Sequence, residues 1–244
     1  MAKRLIFFPN PQIFDSHPVI EQLIEFQWYP GFSLAQKQRS IVALHSAILS
    51  STGLICPLEI SSKSPSSLGV ELSAFNLQLS FRSSCALTAS VETVYQGSKT
   101  FNGCPRCDGD RFSLGPRESR HRARELGDKG QFSGWEIGWY KFPLSSGVDF
   151  YNWLYLGALH QNPELLRELV SYDCFTDIEF NPQKSLACQA RSAALARYCV
   201  LNECSLLPYL KKVSSLYEKK ADQWLNAEPE DSASDSDTQL ALQF

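Results

Sequence analysis

Apolar residues recur at helical spacing in blocks along most of this chain, and short alternating segments separate the blocks. That pattern calls for an α+β fold, predominantly helical, with a small sheet packed into one domain. Helices are expected over residues 15–28, where Ser16 can cap and Pro18 suits the first turn, and over 33–51, with Ser33 and Gln36 as a capping pair. Further helices are expected over 90–101, 118–126, 149–159, 163–172, 185–201 and 209–225. Strands are expected at 54–60, 70–81 and 135–142. The apolar start up to Pro9 reads as an edge strand or an ordered arm.

The chain has 244 residues, 43% hydrophobic and 20% charged, with a formal net charge of −3. A chain of this length buries enough surface to fold without staples. The balance excludes a protein coated in basic charge, but it leaves room for a local anion-binding patch. No apolar run reaches the roughly 18 residues of a membrane span. Pro9 and Pro11 cut short any signal-peptide core. The expected setting is cytoplasmic, with no membrane contact. After Ala227 the sequence turns acidic and small, so residues 228–244 read as a disordered tail.

The eight cysteines come without an export signal, so free thiols are expected. Cys104 and Cys107 form one C-x-x-C pair. A structural zinc site usually needs a second pair at similar spacing, and neither His121 nor Cys174 supplies it. No metal and no cofactor is expected. His17, His45 and His160 fall in different helices and are assigned no role.

Three clusters carry chemistry. On a helix at about 100° per residue, Glu92, Gln96 and Lys99 form one narrow stripe, near 0°, 40° and 340°. Carboxylate, amide and ammonium then stand in a row, with Val91, Val94 and Phe101 on the far side. A solvated face with a Glu–Lys pair would look the same, but Gly97 costs a helix about 1 kcal/mol and points to a close neighbour. The second cluster is Asp173, Asp177 and Glu179 among Tyr172, Phe175 and Phe180. It suits a ligand with rings and hydroxyls, or an ordinary capped helix end. The third is Arg117, Arg120, His121, Arg122 and Arg124, which would attract phosphate of a pyrophosphate or a nucleic acid, or be a solvated face.

Leu72-Ser-Ala-Phe-Asn76 followed by Ser90-Val-Glu-Thr-Val-Tyr-Gln-Gly-Ser-Lys99 resembles the NADAR family. Its helix motif is matched at Ser90, Val91, Glu92, Gln96 and Lys99. Phe150-Tyr-Asn-Trp-Leu-Tyr-Leu-Gly-Ala-Leu159, Phe175-Thr-Asp-Ile-Glu-Phe-Asn-Pro182 and Cys188-Gln-Ala-Arg191 resemble the branch found beside DarT-type toxins. Those toxins attach ADP-ribose to DNA bases. The resemblance covers residues 54–205, with 1–53 as an N-terminal extension, in a domain spanning 1–227.

The resemblance implies an antitoxin enzyme that removes ADP-ribose from guanine in DNA by hydrolysis of the N-glycosidic bond. Its partners would be ADP-ribosylated DNA and a cognate DarT-type toxin. Glu92, Lys99 and Asp177 would then be catalytic. Asn76, Gln96, Tyr151, Trp153, Asn181, Gln189 and Arg191 would bind substrate, with Tyr151 or Trp153 stacking on a base. Arg117, Arg120, Arg122 and Arg124 would contact phosphate or DNA. Three other readings stand beside it: a binder of ADP-ribose or modified DNA without turnover, a blocker of the toxin itself, and an N-glycosidase on another small molecule.

Overall fold

The computed structural model describes residues 1–12, 17–82, 87–104, 111–183, 185, 187–203, 205–218 and 241–242. The fold is α+β. In chain order the elements are β1 (Ala2–Pro9), β2 (Val19–Phe26), α1 (Leu34–Ser51), β3 (Pro57–Glu59), α2 (Ser67–Glu71), β4 (Gln78–Arg82) and β5 (Leu87–Ser90). Then come α3 (Val91–Gly97), β6 (Lys99–Asn102), α4 (Pro116–Gly127), β7 (Gln131–Ile137), β8 (Tyr140–Pro143) and α5 (Gly147–Gln161). The last are α6 (Pro163–Leu169), β9 (Cys174–Thr176), α7 (Gln189–Glu203), α8 (Leu207–Tyr217) and β10 (Ala241–Leu242). They gather into two compact units, one of Met1–Leu77 with Asn162–Pro208, the other of Gln78–Gln161 with Tyr209–Phe244. No described helix is long and apolar enough to cross a membrane.

The first unit is built on a sheet of order β2-β1-β9-β3. β3 and β9 run parallel, with Leu58 opposite Phe175, while β1 and β9 run antiparallel. α1 lays Ile41, Leu44 and Ile48 against Ile6, Ile24, Phe26, Cys174 and Ile178 to make one buried core. α7, rich in alanine, lies close against β1 and β9.

Two expectations change here. Residues 19–26 form a strand and not a helix. They pair with β1 along its whole length, from Ala2 opposite Phe26 to Pro9 opposite Val19. From Glu21 on, exposed residues at 21, 23 and 25 alternate with more buried neighbours, so the period is two. Cross-strand pairing outweighs the helical spacing of the apolar residues. Accordingly β1 is an interior strand and not an edge. The proposed cap, Ser16, lies outside the described residues.

The expected strand at 70–81 splits. Its first part is the short helix α2 and a turn, in which Asn76 and Leu77 donate backbone N–H groups to Ser73. Only β4 is strand. Gly69 explains the tight corner: a Cβ there would stand 2.0 Å from the Glu59 carbonyl and 2.3 Å from Ser64 Oγ.

The second unit holds two three-stranded sheets, β10-β4-β5 and β6-β7-β8. The single strand expected at 135–142 is the middle of a hairpin that turns at Gly138, whose φ is +51°. The stretch 102–134 is more ordered than its composition suggests: α4 and most of β7 come from it. Under these sheets α5 buries Phe150, Trp153, Leu154, Tyr155 and Leu156. Of the tail expected to be disordered, Ala241 and Leu242 are described, and they form β10 opposite Arg82 and Phe81 of β4, a pairing that composition does not signal; residues 228–240 and Cys107 lie outside the described residues.

The helix expected over 90–101 ends at Gly97. A Cβ on Gly97 would approach the Arg111 carbonyl and the Phe112 ring to 3.0 Å. Lys99 therefore sits on strand β6, opposite Trp135. Gly69 yields the sharpest stability test. Gly69→Ala has only backbone and a packed serine to displace, so it should cost about 2–3 kcal/mol. Thermal unfolding checks this, and an unchanged melting temperature would refute the close approach.

Candidate functional site

Glu92 occupies the first turn of α3, with only 4% of its surface exposed. Ser90 caps the helix by accepting from the Thr93 backbone N–H at 3.2 Å. The Thr93 hydroxyl in turn donates to the Leu114 carbonyl at 3.2 Å, which fastens α3 to the chain entering α4. Two donors then converge on Glu92 Oε1. Gln96 Nε2 reaches it at 2.9 Å from one turn on, and Arg120 Nε of α4 reaches it at 2.5 Å. Of the stripe expected on one helix face, Glu92 and Gln96 share the helix and are hydrogen-bonded, whereas Lys99 lies beyond its end.

Lys99 joins them from the neighbouring strand. Its ammonium lies 5.3 Å from the Tyr95 ring centroid and 5.6 Å from that of Phe132. Burial lowers its proton affinity, the Glu92 charge raises it, and Arg120 and Arg124 lower it again. Tyr95, buried beside Glu92, has its phenol pushed up to about 12. Aromatic faces and one carboxylate thus hold a lysine that gives up its proton more readily than a surface lysine.

Gln96 and Lys99 both line a cavity of about 760 Å³ in the same unit. Arg111, Arg122 and Lys141 bring positive charge to its wall, and Trp135 and Phe101 bring rings. Glu92 does not line it; Gln96, which holds Glu92, does. A volume of this size suits a small nucleotide, and the cations suit a pyrophosphate.

The arginine cluster lies on α4 and divides. Arg120 meets Glu92 and Arg122 faces the cavity, whereas Arg117 and Arg124 are exposed on the helix. Tyr151 is buried, its ring edge-on to Tyr95 at 5.2 Å. Trp153 is wholly enclosed. It donates to Ser214 Oγ at 3.0 Å, and Tyr140 and Phe142 cover its ring at 4.9 and 5.5 Å. As placed, Trp153 is a core residue that presents no face to a base.

The remaining expected site residues belong to the first unit. Asp177 is buried just after β9 and accepts from the Glu179 backbone N–H at 3.0 Å and from Gln189 Nε2 at 2.9 Å. Gln189 also donates to the Ile60 carbonyl at 2.7 Å and accepts from the Ala74 N–H at 2.8 Å. Its amide therefore works as a clasp joining three segments. Arg191 pairs with Glu21 at 2.8 Å. Asn181 is exposed and accepts from the Gln183 N–H, and the Asn76 amide donates to the Val70 carbonyl.

A partner that the sequence did not announce is Glu59 on β3. It is 1% exposed and accepts from Thr176 Oγ1 at 2.6 Å and from the Ile178 N–H at 2.9 Å. Thr176 Oγ1 also bonds His45 Nε2 at 3.0 Å. Burial pushes both acids upward; the Glu59 charge raises Asp177 further, and the Glu179 charge raises Glu59. Asp177 holds its proton to about 8. Burial holds His45 down at about 4, so the imidazole is neutral at pH 7. The signal in the sequence was a lone acid inside the apolar run Leu58-Glu59-Ile60. Among the described residues, no group of three or more His, Cys, Asp or Glu is placed to hold a metal.

A family model described as DarT1-associated NADAR antitoxin matches residues 2–227. The chain belongs to that family. Of the motif residues that suggested it, Gln96 and Lys99 line the cavity in the second unit and Glu92 is bonded to Gln96 behind them. No curated protein matches the antitoxin.

The buried acids make its stability depend on pH in a defined direction. Unfolded, Asp177 ionises near its ordinary value of 3.8, whereas folded it stays protonated to about 8. Below pH 4 both states hold the proton and there is no penalty. As the pH rises from about 4 to 8, the unfolded state alone ionises, and folding loses stability. Asp177→Asn removes that titration. Its melting temperature should fall less between pH 5 and pH 8 than the wild type's; an equal fall would show that Asp177 does not titrate this way.

Proposed function

We propose that this antitoxin hydrolyses the bond between ADP-ribose and guanine in DNA modified by its cognate toxin. The observation that carries the reading is the Glu92 carboxylate, buried beside Lys99 and tied through Gln96 to a cation-lined cavity. Arg111, Arg122 and Lys141 would receive the pyrophosphate. Arg117 and Arg124 share α4 with Arg122 and would face DNA phosphates, as would Arg120 with the part of its guanidinium that Glu92 does not engage.

Breaking an N-glycosidic bond sends its electron pair to the base and leaves a cation-like sugar, which water then captures. Each stage makes a demand. The sugar cation needs a nearby negative charge, and the water needs a group to take its proton. Both described donors to Glu92 use Oε1, so Oε2 is the atom offered to the sugar or the water. The departing guanine needs a proton. Lys99, with its lowered proton affinity, is suited to give one at neutral pH. Gln96 would hold a ribose hydroxyl while it orients Glu92. By resemblance Asp177 would be catalytic and Asn181 would bind substrate, and release of ADP-ribose by Asp177→Asn tests the first of these roles.

Glu92→Gln keeps the shape and the acceptor for Arg120 but removes the charge. Released ADP-ribose, measured by mass spectrometry on DNA carrying ADP-ribosylated guanine, should fall at least about 100-fold. Turnover at the wild-type rate would remove Glu92 from the mechanism, and intact modified DNA with the wild type would defeat the hydrolase reading altogether.

Lys99 is tested by its charge. If the ammonium is the working form, wild-type activity falls as the pH rises through a value below the ordinary 10.5 of lysine. Lys99→Arg keeps a positive charge but cannot release its proton in this range. It should lose most of the turnover at pH 7 and show no such alkaline fall. An unchanged rate at pH 7 with the alkaline fall gone would assign Lys99 a purely electrostatic part, and an unchanged rate with the fall retained would remove Lys99 from the mechanism.

A further inference from the structure

The loop from β2 to α1 runs Trp28-Tyr29-Pro30-Gly31-Phe32. Phe32 is fully exposed, at 100%. Folding gains nothing from a phenylalanine ring left in water. The cations near the loop are layered onto its rings. Arg39 lies 4.3 Å from the Tyr29 centroid, and Trp28 carries Arg4 at 5.2 Å and Lys37 at 5.3 Å.

The loop is also held still. The Tyr29 N–H donates to Ser40 Oγ at 3.0 Å, and that hydroxyl donates back to the Tyr29 carbonyl at 3.2 Å. Ser40 itself is fully buried on α1. Gly31 takes a φ of +140°, which a side chain would strain, and a Cβ there would meet Gln36 at 3.0 Å. Phe32 is thus presented from a pinned turn. Of the three cations, Lys37 is offset by Glu179 at 2.9 Å. Arg4 donates to the Ile178 and Lys3 carbonyls, which leave its charge in place; among the described residues no acid pairs with Arg39 or Arg4, and these two set the sign of the patch. The first turn of α1, which follows directly, carries no acidic residue.

We propose that this loop is a docking surface for single-stranded nucleic acid, with a base stacked on Phe32 and backbone phosphates at Arg39 and Arg4. Every base has a π face and every phosphate a charge, so rings interleaved with guanidinium groups match a strand of any sequence. A duplex hides its base faces and offers Phe32 nothing to stack on. A stable protein interface would call for a wider apolar core around the aromatic anchor. The proposal deepens the hydrolase reading and rests on it for its setting: a modified guanine within a strand has neighbours to be held.

The test is fluorescence anisotropy of the full chain with a short, unmodified, fluorescein-labelled single-stranded DNA of mixed sequence, and with its duplex. Saturable binding that favours the single strand and weakens with salt is expected. Phe32→Ala should weaken it about tenfold, and Arg39→Ala should also reduce the salt slope by about one. Both positions are on the surface, so melting temperatures should not move. Equal single-strand affinity in the wild type and Phe32→Ala overturns the proposal. So does a Phe32→Ala variant that loses binding to the purified toxin but not to DNA, which would make the loop a protein interface. The outcome is separable from the hydrolase reading. Glu92→Gln should bind this unmodified strand as the wild type does, and Phe32→Ala should still release ADP-ribose from a modified mononucleoside.

Discussion

Taking a carboxylate out of water is costly unless charge and hydrogen bonds replace the water. For Glu92 the replacement comes chiefly from Arg120, 28 positions along the chain. Much of the second unit follows from that requirement. The chain must leave α3 at once, and Gly97 makes the exit possible because nothing larger fits against Arg111 and Phe112. It must return as a helix aimed at α3, and the Thr93 bond to Leu114 fixes where that helix begins. The hairpin of β6 and β7 spans the excursion and carries Lys99 back toward the same carboxylate.

The first unit solves a related problem by another route. Glu59 and Asp177 are both buried, but among the described residues no arginine or lysine bonds either of them directly. Neutral donors serve instead: backbone N–H groups, a threonine hydroxyl and a glutamine amide. These donors favour the ionised acid, but burial outweighs them and the neighbouring Glu59 charge adds to it, so Asp177 holds its proton to about 8. The Gln189 clasp spends its oxygen and its amide nitrogen on Asp177, Ile60 and Ala74. Loss of any of them would leave a buried polar group unsatisfied.

How much of this was legible depended on whether a local signal agreed with its tertiary setting. α1 was readable because Ser33 and Gln36 mark its start and Ile41, Leu44 and Ile48 face one way. β2 was not, because Val19, Ile20, Leu23, Ile24 and Phe26 fit a helical stripe as well as a pleat, and only β1 decides between them. The site was partly legible. Glu92 and Gln96 lie one turn apart, which spacing alone reveals. Lys99 was expected beside them for the wrong reason: the stripe placed it on the helix, yet it arrives on a strand. Arg120 and Glu59 act through partners far away in sequence, and nothing local pairs them.

The two carboxylate centres differ in a way that bears on chemistry. Glu59 has both oxygens engaged, by Thr176 on one side and Ile178 on the other. A carboxylate so enclosed has little left to offer a substrate, and its work is to hold β3 to β9. Glu92 takes both of its described donors on a single oxygen, and one of them, Gln96, lines the cavity. An anion whose described donors meet at one atom is oriented while the other atom keeps its capacity to accept. Preorganised charge of this kind stabilises a cation that exists only at the transition state, because no water has to be rearranged when the cation forms. Arg120 sets the position of that charge and tempers it, so in the proposed reaction the arginine cluster on α4 would bear on the reacting bond as well as on phosphate.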